Sequence, residues 1–469
     1  MNHSSAGDGL ERKLGLFSVT NIVIANMIGA GIFTTSGLLM QDLRNPIVMI
    51  GLWVAGGIIA LCGALCYSEL GAAIPRAGGE YVFLSRLFHP SLGFLSGWIS
   101  FFAGFSAPIA ASAIGFAEYL ARAFPSILSP GVGDSEIETA VPKKALAILL
   151  VLVFTLIHIR GIELGAKVQN FLTVLKIVLI SGLVLVGLSA GQGNPAHFFQ
   201  GEAYRFDFKG WKTLGLSLMW IMFAYSGWNA AGYIGSEVKN PQRNLPRSLL
   251  LGTAVVLLLY LLLNLFYIYA VPPAEMSGVI SIGGLAAGNA FGTVAESLLS
   301  LMISFALFSS LSAFIILGPR VYYSMARDGY FFRFAADVHP KYGVPSKSIA
   351  LQGLMAAIMV LFGTFDQILT YMGFSLGIFP ILAVLGVFQL RRRNMLSFRM
   401  PAFPLAPAIY MCAGISILVL SFFQRPVESS IAVAVVLAGI PVYIALRRRQ
   451  KPHKTGSDPE MCDFGIRRG

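Results

Sequence analysis

The sequence predicts an all-α polytopic membrane protein of twelve transmembrane helices: two five-helix repeats of opposite orientation, then two further helices. Three observations lead there. The 469 residues are 56% hydrophobic and 12% charged, with mean hydropathy +0.73, whereas soluble domains are roughly a quarter charged. Apolar runs of about 20 residues, long enough to cross a ~30 Å hydrocarbon core, recur along the whole chain. Two of these runs, one in each half, are broken by glycine at comparable depth. Matched broken helices are the sequence signature of inverted-repeat carriers, whose sites lie at the breaks.

The apolar runs place spans at 14–40, 46–73, 90–124, 144–160, 165–190, 211–237, 245–271, 288–326, 347–364, 366–392, 402–423 and 426–446. The first run ends too late, and lacks a small-residue cleavage site, to be a signal peptide. Residues 1–13 and 447–469 read as polar tails, and 125–143, with Asp134, Glu136 and Glu138, as the longest polar insertion. The broken runs are the first and the sixth. Units of five spans then cover 14–190 and 211–392, with the extra pair at 402–446. Because five is odd, the second unit must insert upside down. With loops assigned to alternate sides, 25 Lys and Arg fall on the side holding both termini and 8 on the other, leaving Lys176 inside a span. That asymmetry puts both termini in the cytoplasm of a cell membrane.

Charge and cysteine content exclude other classes. The net charge of +12 is spread over short loops, not gathered on one face as nucleic-acid binding requires. Cysteines 62, 66, 412 and 462 form no disulfide framework, and the six His have no metal-type spacing, so no metal and no cofactor are expected. No phosphate-binding GxxxxGK[ST] string occurs, which excludes an ATP-driven pump built from this chain alone. An embedded enzyme would need a nucleophile–base set at membrane depth, and only His158 among the histidines lies near a span. A channel would need a repeated selectivity element, and the sequence has none.

The breaks carry the chemistry. In the first, Ile28-Gly29-Ala30-Gly31-Ile32-Phe33, glycine can unwind the helix and bare its backbone. The half-helix beyond it aims free N–H groups and its positive dipole end at the pocket, a setting for a carboxylate. The bland alternative is a close helix-packing face. In the second, Phe223-Ala224-Tyr225-Ser226-Gly227-Trp228-Asn229, a half-helix ends and leaves carbonyls that favour a cation. Carbonyls of Phe223, Ala224 and Ser226, with that of Met27, would take an α-ammonium. The candidate substrate-binding residues are therefore Met27, Ile28, Gly29, Ala30, Gly31, Phe223, Ala224, Ser226, Trp228 and Asn229. Tyr225 and Trp228 are packing aromatics or pocket walls. Asn229 is a contact or a scaffold that holds the unwound segment through a neighbouring helix.

Lys176 lies ~16–20 Å from either end of its span at 1.5 Å per residue, too deep to snorkel. An intramembrane ammonium is functional by default, the alternative being a brace satisfied by carbonyls. Glu69 and Glu237 end the second and sixth spans and, with Arg76, Glu80, Arg327 and Asp328, form either an inner gate of ion pairs or solvated loop charges. Glu118 is the one acid expected within reach of a cationic ligand side chain. No acid is expected at the breaks, and walls of Ala, Gly, Ser, Ile and Met suit small or medium neutral amino acids.

The strings ANMIGAGIF, SELGAAIPRAGGEYVFLSRLF, FAYSGWNAAGYIGSEVKNPQRNLPRSL and LGPRVYYSMARDGYFF resemble the amino acid–polyamine–organocation transporter superfamily. Within it they resemble bacterial amino acid permeases related to the L-type exchangers, over residues 14–446. The resemblance implies the leucine-transporter-type inverted repeat and alternating access, as proton-coupled uptake or exchange. It also implies that N–H groups of Ala30 and Gly31 hold the α-carboxylate and that Phe223 is an aromatic lid. Lys176 would replace sodium, bridging the first break near Gly29 and the Ser310 hydroxyl, so transport would be sodium-independent. A cationic amino acid or amine carrier is the alternative. The partners expected are the amino acid and the lipid bilayer. No cysteine stands out as an exposed link, so a disulfide-joined accessory subunit is not expected.

Overall fold

A computed structural model describes residues 10–124, 136–279, 282–362, 365–395 and 397–449. Asp134, Cys462 and most of both tails lie outside them. Among the described residues, nine helices are long and apolar enough to cross a membrane, and Ser346–Phe362 is a shorter apolar helix. The fold is built from helices without a β-sheet among those residues; two isolated bridges, Leu14 with Val238 and Ala77 with Ile234, are the only extended pairings there.

Local chemistry starts several helices where the sequence suggests. Asn45 accepts from the Val48 N–H ahead of Pro46–Ala73, and Asp207 accepts from the Gly210 N–H ahead of Phe208–Ala224. In Ile162–Ala190 the buried positions Gln169, Thr173, Lys176, Ile180, Val184 and Gly187 recur at three- and four-residue spacing. The opposite face exposes Phe171, Val178 and Leu185, an apolar surface suited to acyl chains.

The first span is two helices, Leu16–Met27 and Ala30–Leu43, separated at Ile28 and Gly29. The sixth is helical only over Phe208–Ala224. After turns at 225–229 it continues as short 3-10 segments, Ala230–Tyr233 and Gly235–Glu237, not as a second α-helix. The physical reason is competition for the backbone: the Tyr233 carbonyl accepts from the Gly78 N–H at 3.0 Å, and the Glu237 carbonyl accepts from the Lys13 and Leu14 N–H groups at 3.0 and 2.9 Å.

Two further departures shape the interior. The loop expected after the second span contains the helix Glu80–Leu87, most of whose residues are buried. The third span holds a π-helical stretch, Ser100–Ser106, between Pro90–Ile99 and Ala107–Ala123. Pro108, without an N–H, cannot close a regular turn on Gly104, and such wide turns recur at functional sites.

Candidate functional site between the broken helices

The two breaks meet in the interior. A Cβ on Gly31 would lie 2.7 Å from Ala224 Cα and 2.8 Å from Ala224 Cβ, so only glycine lets the two half-helices touch. Gly29 caps the Ala30–Leu43 helix without any side-chain hydrogen bond. The first N–H groups of that helix, at Ala30, Gly31 and Ile32, therefore have neither an intrahelical partner nor a side-chain cap.

The carbonyls at the breaks are mostly engaged, which corrects the expectation that they stand free. The Tyr260 hydroxyl reaches the Met27 carbonyl at 2.6 Å and the Ala224 carbonyl at 2.9 Å. One phenolic proton serves both, so the seventh span ties the two breaks together. The Met27 carbonyl also accepts from the Gly29 N–H, and the Phe223 carbonyl from the Ser226 N–H, each at 2.9 Å. Each carbonyl has two lone pairs, so those with one partner can still accept from a ligand.

Lys176, 1% exposed, donates to the Ile28 carbonyl at 2.5 Å and lies 3.2 Å from Ser310 Oγ. Ser310 in turn donates to Ile28 and Ala25 carbonyls at 2.6 and 3.1 Å. The Lys176 amino group thus sits on the carbonyl one residue ahead of Gly29, joining the first, fifth and eighth spans.

A cavity of about 120 Å³ opens beside the sixth-span break. Its wall includes Asn26, Phe223, Ser226, Trp228 and Asn229, and Ser100, Gly104 and Phe105 from the π-helical stretch. Met27, Ile28, Gly29, Ala30, Gly31 and Ala224 are not on that wall. Trp228 stands edge-on to Tyr67 and Tyr410 with ring centroids 4.8 and 5.3 Å apart. Tyr225 packs away from the cavity, donating to the Trp53 carbonyl at 3.2 Å. Asn26 lines the cavity while its side-chain oxygen, buried, has no hydrogen-bond partner.

The acids are arranged otherwise than expected. Glu69 accepts two bonds from Arg391, both at 2.7 Å, and one from the Met400 N–H at 2.9 Å. Glu237 pairs bidentately with Arg320 at 2.8 and 2.9 Å, both side chains 1% exposed. Asp328 accepts from the Tyr81 hydroxyl at 2.5 Å. Neither Glu69 nor Glu237 is a solvated loop charge. Glu118 bonds Lys143 at 2.8 Å, is half-exposed and lies off the cavity wall. Glu80, by contrast, is buried and on that wall, so an acid does stand at the second break. Cys412 is exposed on an apolar span helix, and Cys62 and Cys66 are buried.

Asn26, Tyr260 and the π-helical turn escaped the sequence reading, which placed Glu80 only among the gate or loop charges. Asn26 and Tyr260 sit in unremarkable apolar runs, and Glu80 lies where a hydropathy scan ends a span. The Gly104–Pro108 pair was the one signal to be had.

A model of the family described as amino acid permease matches residues 14–446. The serine/threonine exchanger SteT of Bacillus subtilis (strain 168) is 27% identical over 94% of this chain and 98% of its own length. The mouse (Mus musculus) large neutral amino acids transporter small subunit 2 is 28% identical over 94% of this chain and 82% of its own. The mouse b(0,+)-type amino acid transporter 1 is 27% identical over 92% and 88%. These relatives are transporters, not enzymes, and their coverage matches the resemblance read from the four strings. The chain belongs to the amino acid permease family and is a multi-pass membrane protein of amino acid transport.

Proposed function

We propose that this chain is a sodium-independent secondary transporter of small or medium neutral L-amino acids, working by alternating access in the cell membrane. Twelve spans in an inverted five-plus-five repeat, 14–190 and 211–392, with 402–446 added and both termini cytoplasmic, complete the reading. The uncapped N–H groups at Ala30 and Gly31 take the α-carboxylate. The Ala224 and Ser226 carbonyls, with the partnerless side-chain oxygen of Asn26, take the α-ammonium, while the Met27 and Phe223 carbonyls, each already holding two donors, line the approach. Phe223 covers the ligand. Lys176 and Ser310 hold the Ile28 carbonyl in place of a coupling ion, and the Glu237–Arg320 and Glu69–Arg391 pairs close the cytoplasmic end.

The observation that carries this reading is the Lys176 amino group, buried mid-span on a carbonyl of the first break. Exchange is the favoured mode, in line with the relative named as an exchanger. The test is countertransport in proteoliposomes with a panel of amino acids, with and without sodium and a pH gradient. Substrate-accelerated exchange by the native chain, indifferent to sodium and reduced at least tenfold by Lys176→Ala, is expected. Sodium-stimulated uptake by the native chain overturns it. Glu80 on the cavity wall favours a second reading, a carrier of cationic amino acids; competition by arginine against serine or alanine uptake decides between them.

A further inference from the structure

Three carboxylates are buried among the described residues of the helical interior, Glu69, Glu80 and Glu237. Two are neutralised by an arginine held in a two-pronged grip, Arg391 and Arg320. The third has no ion pair among the described residues. Glu80 Oε1 instead accepts from the Tyr67 hydroxyl at 2.7 Å and from Asn229 Nδ2 at 2.6 Å. It is also the one of the three on the cavity wall. A buried charge without a counter-charge is costly, so a residue kept here for charge alone would be expected to have a cation. Glu80 has neutral donors, one from the second span and one from the unwound part of the sixth.

The surroundings show what those bonds hold. Asn229 also reaches the Tyr233 hydroxyl at 3.3 Å. Gly79, at φ +55°, lies so close to the Tyr233 ring that a Cβ there would be 2.4 Å from it. The Gly78 N–H donates to the Tyr233 carbonyl. The same loop is anchored to the eighth span, where Ser324 donates to the Ala77 carbonyl at 2.6 Å. Residues 77–80 therefore form a clasp from the eighth span to 229–233, and Glu80 is its one side-chain hook on the break itself.

We propose that Glu80 is a positioning residue of the transport site: an acceptor of fixed reach that orients Asn229 and the sixth-span turn, acting by hydrogen-bond geometry and not by charge. This rests on the site lying at the breaks. The turn from Ser226 to Asn229 lacks the α-helical ladder and is held by isolated three-residue-spaced backbone bonds, Ser226 N–H to the Phe223 carbonyl and Ala230 N–H to the Gly227 carbonyl, which leave the Asn229 side chain to be oriented by an external acceptor.

Two conservative variants separate reach from charge. Glu80→Gln keeps chain length and an oxygen acceptor but loses the charge; Glu80→Asp keeps the charge but withdraws the carboxylate by one methylene. Steady-state exchange of a neutral substrate is measured in proteoliposomes, with KM and maximal rate resolved and thermal unfolding followed in detergent. Glu80→Gln is expected within about threefold of the native KM, with an unaltered pH profile. Glu80→Asp is expected to raise KM about tenfold without lowering the unfolding midpoint to match. The reverse order, equal defects, or two native KM values would each overturn the proposal. Native exchange run alongside reports separately on the functional reading, because the Glu80 result is the ratio of variant to native.

Discussion

Substitution of Gly31 by alanine tests whether contact between the breaks forms the site. The new Cβ would stand 2.7 Å from Ala224 Cα, whereas carbon atoms rest about 3.5–4.0 Å apart. One half-helix must retreat by roughly 1 Å, because backbone and a methyl, not a flexible side chain, oppose it. Overpacking of this kind costs ~1–3 kcal/mol. A 1 Å misplacement of positioning groups can cost on the order of a hundredfold. The N–H groups of Ala30 and Gly31 move with the displaced helix, so Gly31→Ala should raise the KM for exchange about 10- to 100-fold. Gly182→Ala is the control. A Cβ there meets nothing within 4 Å, and alanine favours the helix by ~1 kcal/mol. KM values from proteoliposome countertransport and unfolding midpoints in detergent should therefore separate the two. A folded Gly31→Ala protein with native KM would refute the placement of the substrate at the first break.

Removing the Tyr260 hydroxyl with Tyr260→Phe leaves the Ala224 carbonyl without its side-chain donor and unlinks the breaks. A loss of ~1–3 kcal/mol in unfolding free energy and a slower maximal exchange rate are expected in the same two assays. Glu237→Gln strands the Arg320 guanidinium, buried at 1% exposure, and should destabilise by ~3–5 kcal/mol; Glu237→Gln combined with Arg320→Met should recover most of it by thermal melt. Glu118→Gln, off the cavity wall, should leave both KM and substrate selectivity at native values in the competition assay.

Much of the frame was legible because lipid permits little else. Lys176 announced itself through depth alone: an amine that far from either surface must have polar partners inside the bundle, whether as part of the site or as a brace. The first break was legible because Gly-Ala-Gly is a poor helix interior in a medium that punishes loose backbone. The course of the chain beyond the second break was not legible. Residues 230–237 have the hydropathy of a helix, but their backbone groups are taken by Gly78, Lys13 and Leu14, contacts set by residues distant in sequence. Glu80 was misread for a related reason. Hydropathy treats a carboxylate at a span end as a surface group, whereas the buried loop after that span carries it inward to Asn229. The arginine partners of Glu69 and Glu237 lie 322 and 83 residues away, beyond any local pattern.

The bonds at the breaks also constrain how the proposed cycle can run. Tyr260 joins the Met27 and Ala224 carbonyls, and Gly31 rests on Ala224, so the two breaks behave as one mechanical piece with the seventh span. Lys176 and Ser310 hold the neighbouring Ile28 carbonyl from the fifth and eighth spans. Motion of the first and sixth spans against that scaffold must therefore stretch the Lys176 contacts before it separates the breaks. The two opposed sets of bonds share a peptide boundary between Met27 and Ile28. That boundary is where rocking would be felt first, and a tethered lysine bonded to the Ile28 carbonyl makes the displacement a discrete step. A site held by a diffusible ion could be emptied and refilled; a tethered lysine can only let go and return. The expected consequence is rate control at Lys176 and ligand affinity at the glycine contact, which the KM and maximal-rate readouts of Lys176→Ala and Gly31→Ala should divide between them.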